Sequence, residues 1–449
     1  MSTTGGARLA STDSQAVGQE RGQALSDTQA TRSVDVLVVG GGPAGLMAAI
    51  AAAEEKARVL LCEQLPQPGR KLLATGGGRC NLTNLADRSA FLASFGRQGR
   101  FLQPALALTD SVRLQAFFAA LGVRTGAVDG FHVFPVSNSA QTILSALLRR
   151  AAELDVTTAL ETEVTGLTLR EGRVTGIKTL SGEREAACVI LATGGKSYPD
   201  LGATGTGYRL AQQVGHSVVT PLPGLVPLIV SPGWVQGLAG VSVPDVQVWI
   251  DVPRQRGAGR RGPLLFTHRG LSGQAVLDIS ADVATLLARG GGQRTVPLAL
   301  NLTPDTSVEE WSARFDLWQR SAGKRLLKNL LAEHLPASLA AALCEQAGAA
   351  QVRAAEVPQT ARENLLTLLT RLPFTVVGTE GFAHAMVTRG GVALREVDPH
   401  TLESRKAKGL FFAGEVLDLD GPCGGYNLHW AFASGRLAGH SAARASAST

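Results

Sequence analysis

The stretch from Ser33 to Asn84 constrains the fold more than any other, because it runs strand, glycine turn, helix, strand and second glycine turn without a break. Val36 to Val39 is a short apolar run rich in β-branched residues, long enough for a buried parallel strand and too short for a helix. Gly40, Gly42 and Gly45 follow as GxGxxG, with Pro43 and Ala44 between the last two. The first glycine permits a tight turn and the second lets a pyrophosphate approach the backbone. The third lets the helix that starts near Pro43 pack closely on the sheet. A helix N-terminus at that point supplies an anion site. Arg58 to Cys62 reads as a second strand. Glu63 ends it about 20 residues beyond the glycines, where an acid accepts hydrogen bonds from a ribose diol. Glycines alone would predict only a turn; glycines between strand and helix, with the acid in place, predict a dinucleotide-binding unit.

A chain of 449 residues holds about two or three domains. Hydrophobic residues make up 45% and charged residues 18%, so the body is globular. No run approaches the roughly 18 apolar residues that a membrane span requires, and no membrane partner is expected. The formal charge of +6 and pI of about 9.3 are spread over a long arginine-rich chain. That spread predicts mild nucleic-acid affinity at most, so a small-molecule substrate is expected and a nucleic-acid partner is not. Cys62, Cys80, Cys188, Cys344 and Cys423 are odd in number and scattered, which suits reduced thiols in a cytoplasm. None forms the close pair that a disulfide reductase places beside its flavin.

Residues 1–32 are rich in Ser, Thr, Gln, Gly and Ala without hydrophobic period and predict a disordered tail. Amphipathic helices are expected from Thr109 to Gly122 and from Ser139 to Ala152, and short strands from Val156 to Lys178. Ala187 to Ala192 reads as a buried strand closed by Thr193, Gly194 and Gly195. A further glycine loop, Gly202 to Gly207, opens a helix through Gln213. From His216 the character changes: five prolines between Pro221 and Pro244 break up β-branched runs, which predicts a small all-β unit. Thr303 to Leu372 is leucine-rich and helical, and strands return from Phe374. Gly409 to Gly414, GLFFAG, is again a buried strand, followed by a glycine turn and a helix from Leu428 to Ala442. The first domain is therefore expected to comprise 33–215 and 390–449, interrupted by an insert over 216–389.

Two further constellations carry chemistry. Arg70, Lys71, Gly76, Gly77, Gly78, Arg79 and Asn81 gather cations and three glycines in one loop, which suits a backbone wrapping phosphates and a planar ring. Near the other end, Gly414 and Glu415 stand at a strand end, and Gly424, Gly425, Tyr426 and Asn427 open a helix whose N-terminus stabilises negative charge on a reduced ring. FAD spans the crevice of such a sheet and requires both elements; NAD alone would not.

These motifs resemble the bacterial BaiN/RdsA-type NAD(P)/FAD-dependent oxidoreductases, some of them aminoacetone-oxidase-like flavoproteins. The likeness rests on VVGGGPAGLMAA, GRKLLATGGGRCNLTN, HVFPVSNSA, LATGG, GATGTGYRLA, LLFTHRGLSG, VTRGGV and AGEVLDLDGPCGGYN, and covers nearly all the chain after the tail. It implies an α/β fold: a Rossmann-like, glutathione-reductase-like FAD-binding domain with an inserted β-barrel (216–302 and 374–389) and helical part (303–372). It also implies that Gly40, Gly42, Pro43, Gly45, Glu63, Lys71, Gly76, Gly77, Arg79, Asn81, Gly194, Gly414, Glu415, Gly425 and Asn427 lie around FAD. Ala44, Arg70, Gly78, Thr193, Gly424 and Tyr426, from the same motifs, complete the expected cofactor set. Thr206, Gln274 and His429 depart from the Asp, Pro and Gln common in the family.

His268, in a glycine-flanked loop, is the candidate acid or base, since an imidazole titrates near neutral pH. Its expected place is over the flavin ring, facing substrate; the competing role is that of a structural loop histidine. Cys80 and Cys423 flank flavin loops but have no evident base, so packing is the expectation for both. Arg254, Arg256, Arg260 and Arg261 read as a solvated basic turn. The expected function is a FAD-dependent oxidoreductase carrying hydride through flavin N5, from NAD(P)H as candidate donor to a small organic acceptor or dioxygen. The alternatives are a flavin-dependent tRNA-modifying enzyme and a flavin-binding protein without turnover. No metal site is expected.

Overall fold

A computed structural model describes residues 34–231, 233–252, 259–289 and 295–448. The expected tail and, from the basic turn, Arg254 and Arg256 lie outside them. Parallel strands stand in the order Thr157–Ala159, Val59–Cys62, Val34–Val39, Gly182–Leu191. The register sets Val39 opposite both Cys62 and Leu191. The last of these strands is long enough to share its far edge between two neighbours. Its first half pairs with the antiparallel hairpin Val164–Arg170 and Arg173–Thr179, and its second half pairs in parallel with Leu410–Phe412. The sheet thus closes with a strand made more than two hundred positions later in the chain.

Val36, Leu37 and Val38 are wholly buried, as a parallel strand covered on both faces demands. The helix Pro43–Glu54 covers one face and is itself buried from Ala44 to Ala53, so its sequence shows almost no amphipathic stripe. The C-terminal helix, Tyr426–Ser446, lies against it, and two glycines allow the approach. A Cβ on Gly435 would stand 2.3 Å from the Ala44 carbonyl oxygen, and one on Gly439 2.3 Å from that of Ala48. Because Val39, Cys62, Leu191 and Phe412 all end at one edge, Gly40, Glu63, Thr193 and Gly414 gather there.

The insert holds a closed barrel of six strands in the order Leu228–Ser231, Gly270–Ser272, Arg260–Phe266, Ser242–Ile250, Val296–Asn301, Leu372–Thr379. Val246, Val248, Leu264, Phe266, Leu298 and Phe374 are buried in its core. Helix Gln274–Ala288 packs on it, and four helices from Val308 to Thr370 form the helical part around the buried Trp311. Ser307 and Glu310 make a reciprocal capping box at the first of these.

Some expected bounds move. The strand Val218–Gly224 lies outside the barrel and pairs instead with Val387–Val392, in a two-stranded sheet whose register slips between Val219 and Leu222. Pro221 and Pro223 donate no hydrogen bond, which suits a ribbon edge and not the interior of a barrel. The barrel begins at Leu228, and its last strand starts at Leu372. Helices run Ser111–Ala120, Ala140–Glu153 and Tyr426–Ser446. A small antiparallel sheet of Thr83–Asn84, His132–Pro135 and Thr125–Ala127 had no counterpart in the sequence reading. All five cysteines are free. Among the described residues, no helix is long and apolar enough to cross a membrane.

Candidate functional site

A cavity of about 450 Å³ opens along the edge where the parallel strands end. Gly40 has φ +104°, and a Cβ there would meet the Ala192 carbonyl oxygen at 2.6 Å, so only glycine turns the chain against the next strand. Gly42 caps helix Pro43–Glu54 without any side-chain hydrogen bond, and a Cβ on it would touch nothing within 4 Å. The first N–H groups of the helix therefore face open cleft, the arrangement a pyrophosphate requires. Beside it, Glu63 is buried. Its Oε2 accepts from the Gly41 N–H at 2.6 Å and its Oε1 from the Leu65 N–H at 2.9 Å. A carboxylate offers about four lone-pair sites, so two remain for ribose hydroxyls. On the other side of Gly40, Thr193 Oγ1 is buried without a hydrogen-bond partner and its residue lines the cleft. Such an orphan fits a polar ligand atom.

Lys71 joins three segments. Its Nζ lies 2.6 Å from Glu415 Oε2 and 2.5 Å from Ser197 Oγ. Glu415 Oε1 accepts from the Ser197 hydroxyl at 2.9 Å and from the Thr388 N–H at 2.6 Å. Thr388 Oγ1 in turn accepts from the backbone N–H groups of Lys196 and Ser197. The network presents to the cleft a paired charge in place of a bare cation. Ser197 and Thr388, both fully buried, are its members that sequence reasoning missed. Only the invariably polar neighbours LATGG and VTRGGV, already singled out, hinted at them.

Three asparagines fix the C-terminal glycine turn. Asn84 donates to the Gly424 carbonyl at 2.8 Å. Asn427 accepts from the Gly421 N–H at 2.8 Å and donates to the Gly421 carbonyl at 2.9 Å. The Asn81 amide, turned to satisfy both its atoms, donates to Thr83 and accepts from the Gly425 N–H at 3.2 Å. Gly424 and Gly425 have φ of +112° and +85° and line the cleft with the apolar Leu225, Met386 and Val387.

The cleft thus brings together Gly40, Gly42, Pro43, Ala44, Glu63, Arg70, Lys71, Gly76, Gly77, Asn81, Thr193, Gly194, Glu415, Gly424, Gly425 and Asn427. It leaves out Gly45, Gly78, Arg79, Gly414 and Tyr426, each for a visible reason. A Cβ on Gly45 would stand 1.8 Å from the Gly40 carbonyl oxygen, so this glycine serves helix packing. Gly78 completes a run of three left-handed glycines on the exposed side of its loop. Arg79 lies over the Phe134 ring, 4.7 Å from its centroid. Gly414 is buried, its N–H donating to Ser434 Oγ, and Tyr426 packs on Phe91 with ring centroids 4.8 Å apart. His268 is not brought to the cleft either: it sits on an exposed turn closed by the Thr267 N–H to Gly270 carbonyl bond, between two barrel strands. Burial pushes Cys80 up to about 12 and Cys423 up to about 11, so both are thiols at neutral pH, and only Cys423 reaches the cleft.

The HI0933-like protein Rossmann domain family matches residues 34–441. The chain is 35% identical over 413 residues to a ribosomal RNA dihydrouridine synthase of Escherichia coli, covering 89% of this chain and 96% of that protein. It is 35% identical over 414 residues to a 3-dehydro-bile acid delta(4,6)-reductase of Clostridium scindens, covering 90% of this chain and 98% of the other. A ribosomal RNA dihydrouridine synthase of Haemophilus influenzae is 32% identical over 403 residues, covering 89% and 96%. Among solved structures, a flavoprotein chain of E. coli quinol fumarate reductase shares the fold, with TM-score 0.51, 17% identity and coverage of 93% of this chain and 71% of that one. Two RNA-modifying relatives overturn the expectation that nucleic acid is not a partner. The formal charge was too evenly spread to reveal it. With a glycine turn, an acid and an orphaned hydroxyl that fit FAD, and a family match over nearly the whole described length, the chain belongs to the HI0933-like Rossmann family and is a FAD-dependent oxidoreductase.

Proposed function

We propose that the chain reduces a carbon–carbon double bond conjugated to a carbonyl, with the uracil ring of ribosomal RNA as substrate and NAD(P)H as electron donor. The observation that carries this reading is the identity to two ribosomal RNA dihydrouridine synthases, maintained over 96% of each. The bile-acid relative acts on a conjugated ketone by its name, so the same bond type recurs. Bound FAD supplies hydride at N5. The chain's own groups hold it: the N-terminus of helix Pro43–Glu54 and Gly42 at the pyrophosphate, Glu63 at the ribose, Thr193 Oγ1 as a further polar contact. The Lys71–Glu415 pair holds the adjoining loop in place, and the positive end of helix Tyr426–Ser446 favours charge on the reduced ring. Leu225, Met386 and Val387 keep water from that end of the cleft.

Reduction also needs a proton on the carbon next to the carbonyl. Cys423 lines the same wall, its N–H bonded to Asp278 Oδ1 at 2.7 Å. Burial, with the Asp278 charge as a lesser cause, keeps its thiol protonated through neutral pH. We assign it as the donor. Met386, 43% exposed though it lines the cleft, favours a second reading, an apolar small-molecule enone. The test is anaerobic: NADH or NADPH bleaches the flavin, then a uridine-containing ribosomal RNA transcript or a steroid enone is added. Return of the yellow band with two hydrogens gained by the RNA supports the first reading. Reoxidation by the enone alone would overturn it.

A further inference from the structure

The small sheet of Thr83–Asn84, His132–Pro135 and Thr125–Ala127 adjoins the cleft at two points. Phe134 would lie 3.3 Å from a Cβ on Gly76, and His132 Nε2 3.0 Å from a Cβ on Gly424; both glycines line the cleft. The hairpin turn of this sheet is apolar where it meets solvent. Val128 is 65% exposed and Leu85, beside it, 48%. Backbone hydrogen bonds tie both to that turn, Leu85 N–H to the Phe131 carbonyl at 2.9 Å and Val128 N–H to the His132 carbonyl at 3.2 Å. Half-buried Phe131 and His132 rings stand between them, centroids 5.1 Å apart.

Cations frame this surface. Arg79 is exposed, braced on Phe134 and by its Nε donating to the Gly76 carbonyl at 3.2 Å. Arg70 is exposed at the cleft. Among the described residues neither has an ion pair. The one carboxylate of the turn, Asp129, is occupied by His132 Nδ1 at 2.6 Å and by two backbone N–H groups. Apolar side chains and rings, flanked by unpaired guanidinium groups, match unpaired bases and their phosphates, and a purely apolar partner would need no arginine. A base that enters a cleft has left its stack, so the nucleotides next to it need somewhere to rest.

We propose that this hairpin turn, with Leu85 and Arg79, is the lip on which the RNA strand lies. Unpaired bases beside the target uridine rest on Leu85, Val128 and Phe131, and phosphates meet Arg70 and Arg79. This inference rests on the RNA reading of the cleft. The experiment uses the full FAD-loaded chain, a uridine-containing ribosomal RNA stem-loop and the double variant Leu85→Glu, Val128→Glu. Neither side chain lines the cleft, so flavin content and NADH oxidation with ferricyanide stay at the parent level. RNA affinity falls by about tenfold or more, the scale of lost base stacking. In a separate variant, Arg79→Gln, the slope of log affinity against log salt drops by about 0.7. If the parent binds RNA and the double variant binds it equally well, the lip is overturned and the substrate reading stands. If the parent binds no RNA, both fall together. A parent dimer that the double variant dissolves, at unchanged RNA affinity, would make the patch an interface between copies and also overturn the lip.

Discussion

One methyl group separates two glycines of the same motif. Gly42→Ala meets no atom in the protein, so its melting temperature is expected to match the parent's. The added carbon enters the space at the helix N-terminus, and FAD is expected to bind about tenfold or more weakly, on the order of 1.4 kcal/mol. Gly45→Ala is the reverse: its methyl collides with the Gly40 carbonyl and should cost about 1 to 3 kcal/mol of stability. Flavin titration and thermal unfolding of the two variants read both halves, and a Gly42→Ala protein with parental affinity would place the pyrophosphate elsewhere. Glu63→Ala is expected to weaken FAD by about 1 to 3 kcal/mol, measured the same way. His429 titrates against the fold. Burial lowers it from its ordinary 6.5 to about 4, and its ring bridges Thr83 Oγ1 at 2.7 Å and the Thr109 carbonyl at 2.8 Å as a neutral imidazole. A depressed folded value means this stability is present above 6.5 and is lost as pH falls through about 4. His216, lowered chiefly by burial, acts in the same direction. His429→Gln should flatten denaturation midpoints across that window, by as much as about 3 kcal/mol at its acid end. An unchanged acid slope would show that His429 is not what titrates. Glycines and Glu63 were legible because their spacing is local. Ser197 and Thr388 were not, because their partners arrive from segments far away in the chain.

At the scale of elements, the strand Val387–Val392 and the loop after Gly182–Leu191 meet through one hydroxyl. Thr388→Val keeps the shape and removes the acceptor of two backbone N–H groups, those of Lys196 and Ser197. Leaving buried donors unpaired costs about 1 to 3 kcal/mol each, so a clear drop in unfolding midpoint is expected, with weaker FAD as the Glu415 network loosens. A midpoint equal to the parent's would show that water replaces the hydroxyl. The element types of the first domain were readable, since Val36 to Val39 and Leu410 to Phe412 are apolar runs that only buried strands explain. The pairing of Val218–Gly224 was not: β-branched residues mark a strand but carry no record of its neighbour, and prolines point only to an edge. The turn that holds His268 shows the same limit. Its residue types suit chemistry, and its position between two barrel strands puts it on a different surface.

For the molecule as a whole, the closest helix contact joins residues from its two ends. Gly439→Val would force a branched side chain against the Ala48 carbonyl and separate helix Tyr426–Ser446 from Pro43–Glu54. Because the first of these begins at Gly425, the change is expected to lower FAD affinity as well as the melting temperature, although it lies outside the cleft. Retained affinity at a lowered melting temperature would mean that the glycine turn is held by its asparagines alone. The same arrangement orders events during synthesis. A ribosome has completed Gly182–Leu191 long before it reaches Leu410–Phe412, and at about 5 to 20 residues per second the interval lasts roughly ten to forty seconds. Through that time the nascent first domain has an open sheet edge and half a cofactor site, while the barrel between them is free to finish. Flavin therefore enters only after nearly all of the chain has been translated, and a message cut short anywhere before the last helix yields a product unable to retain it.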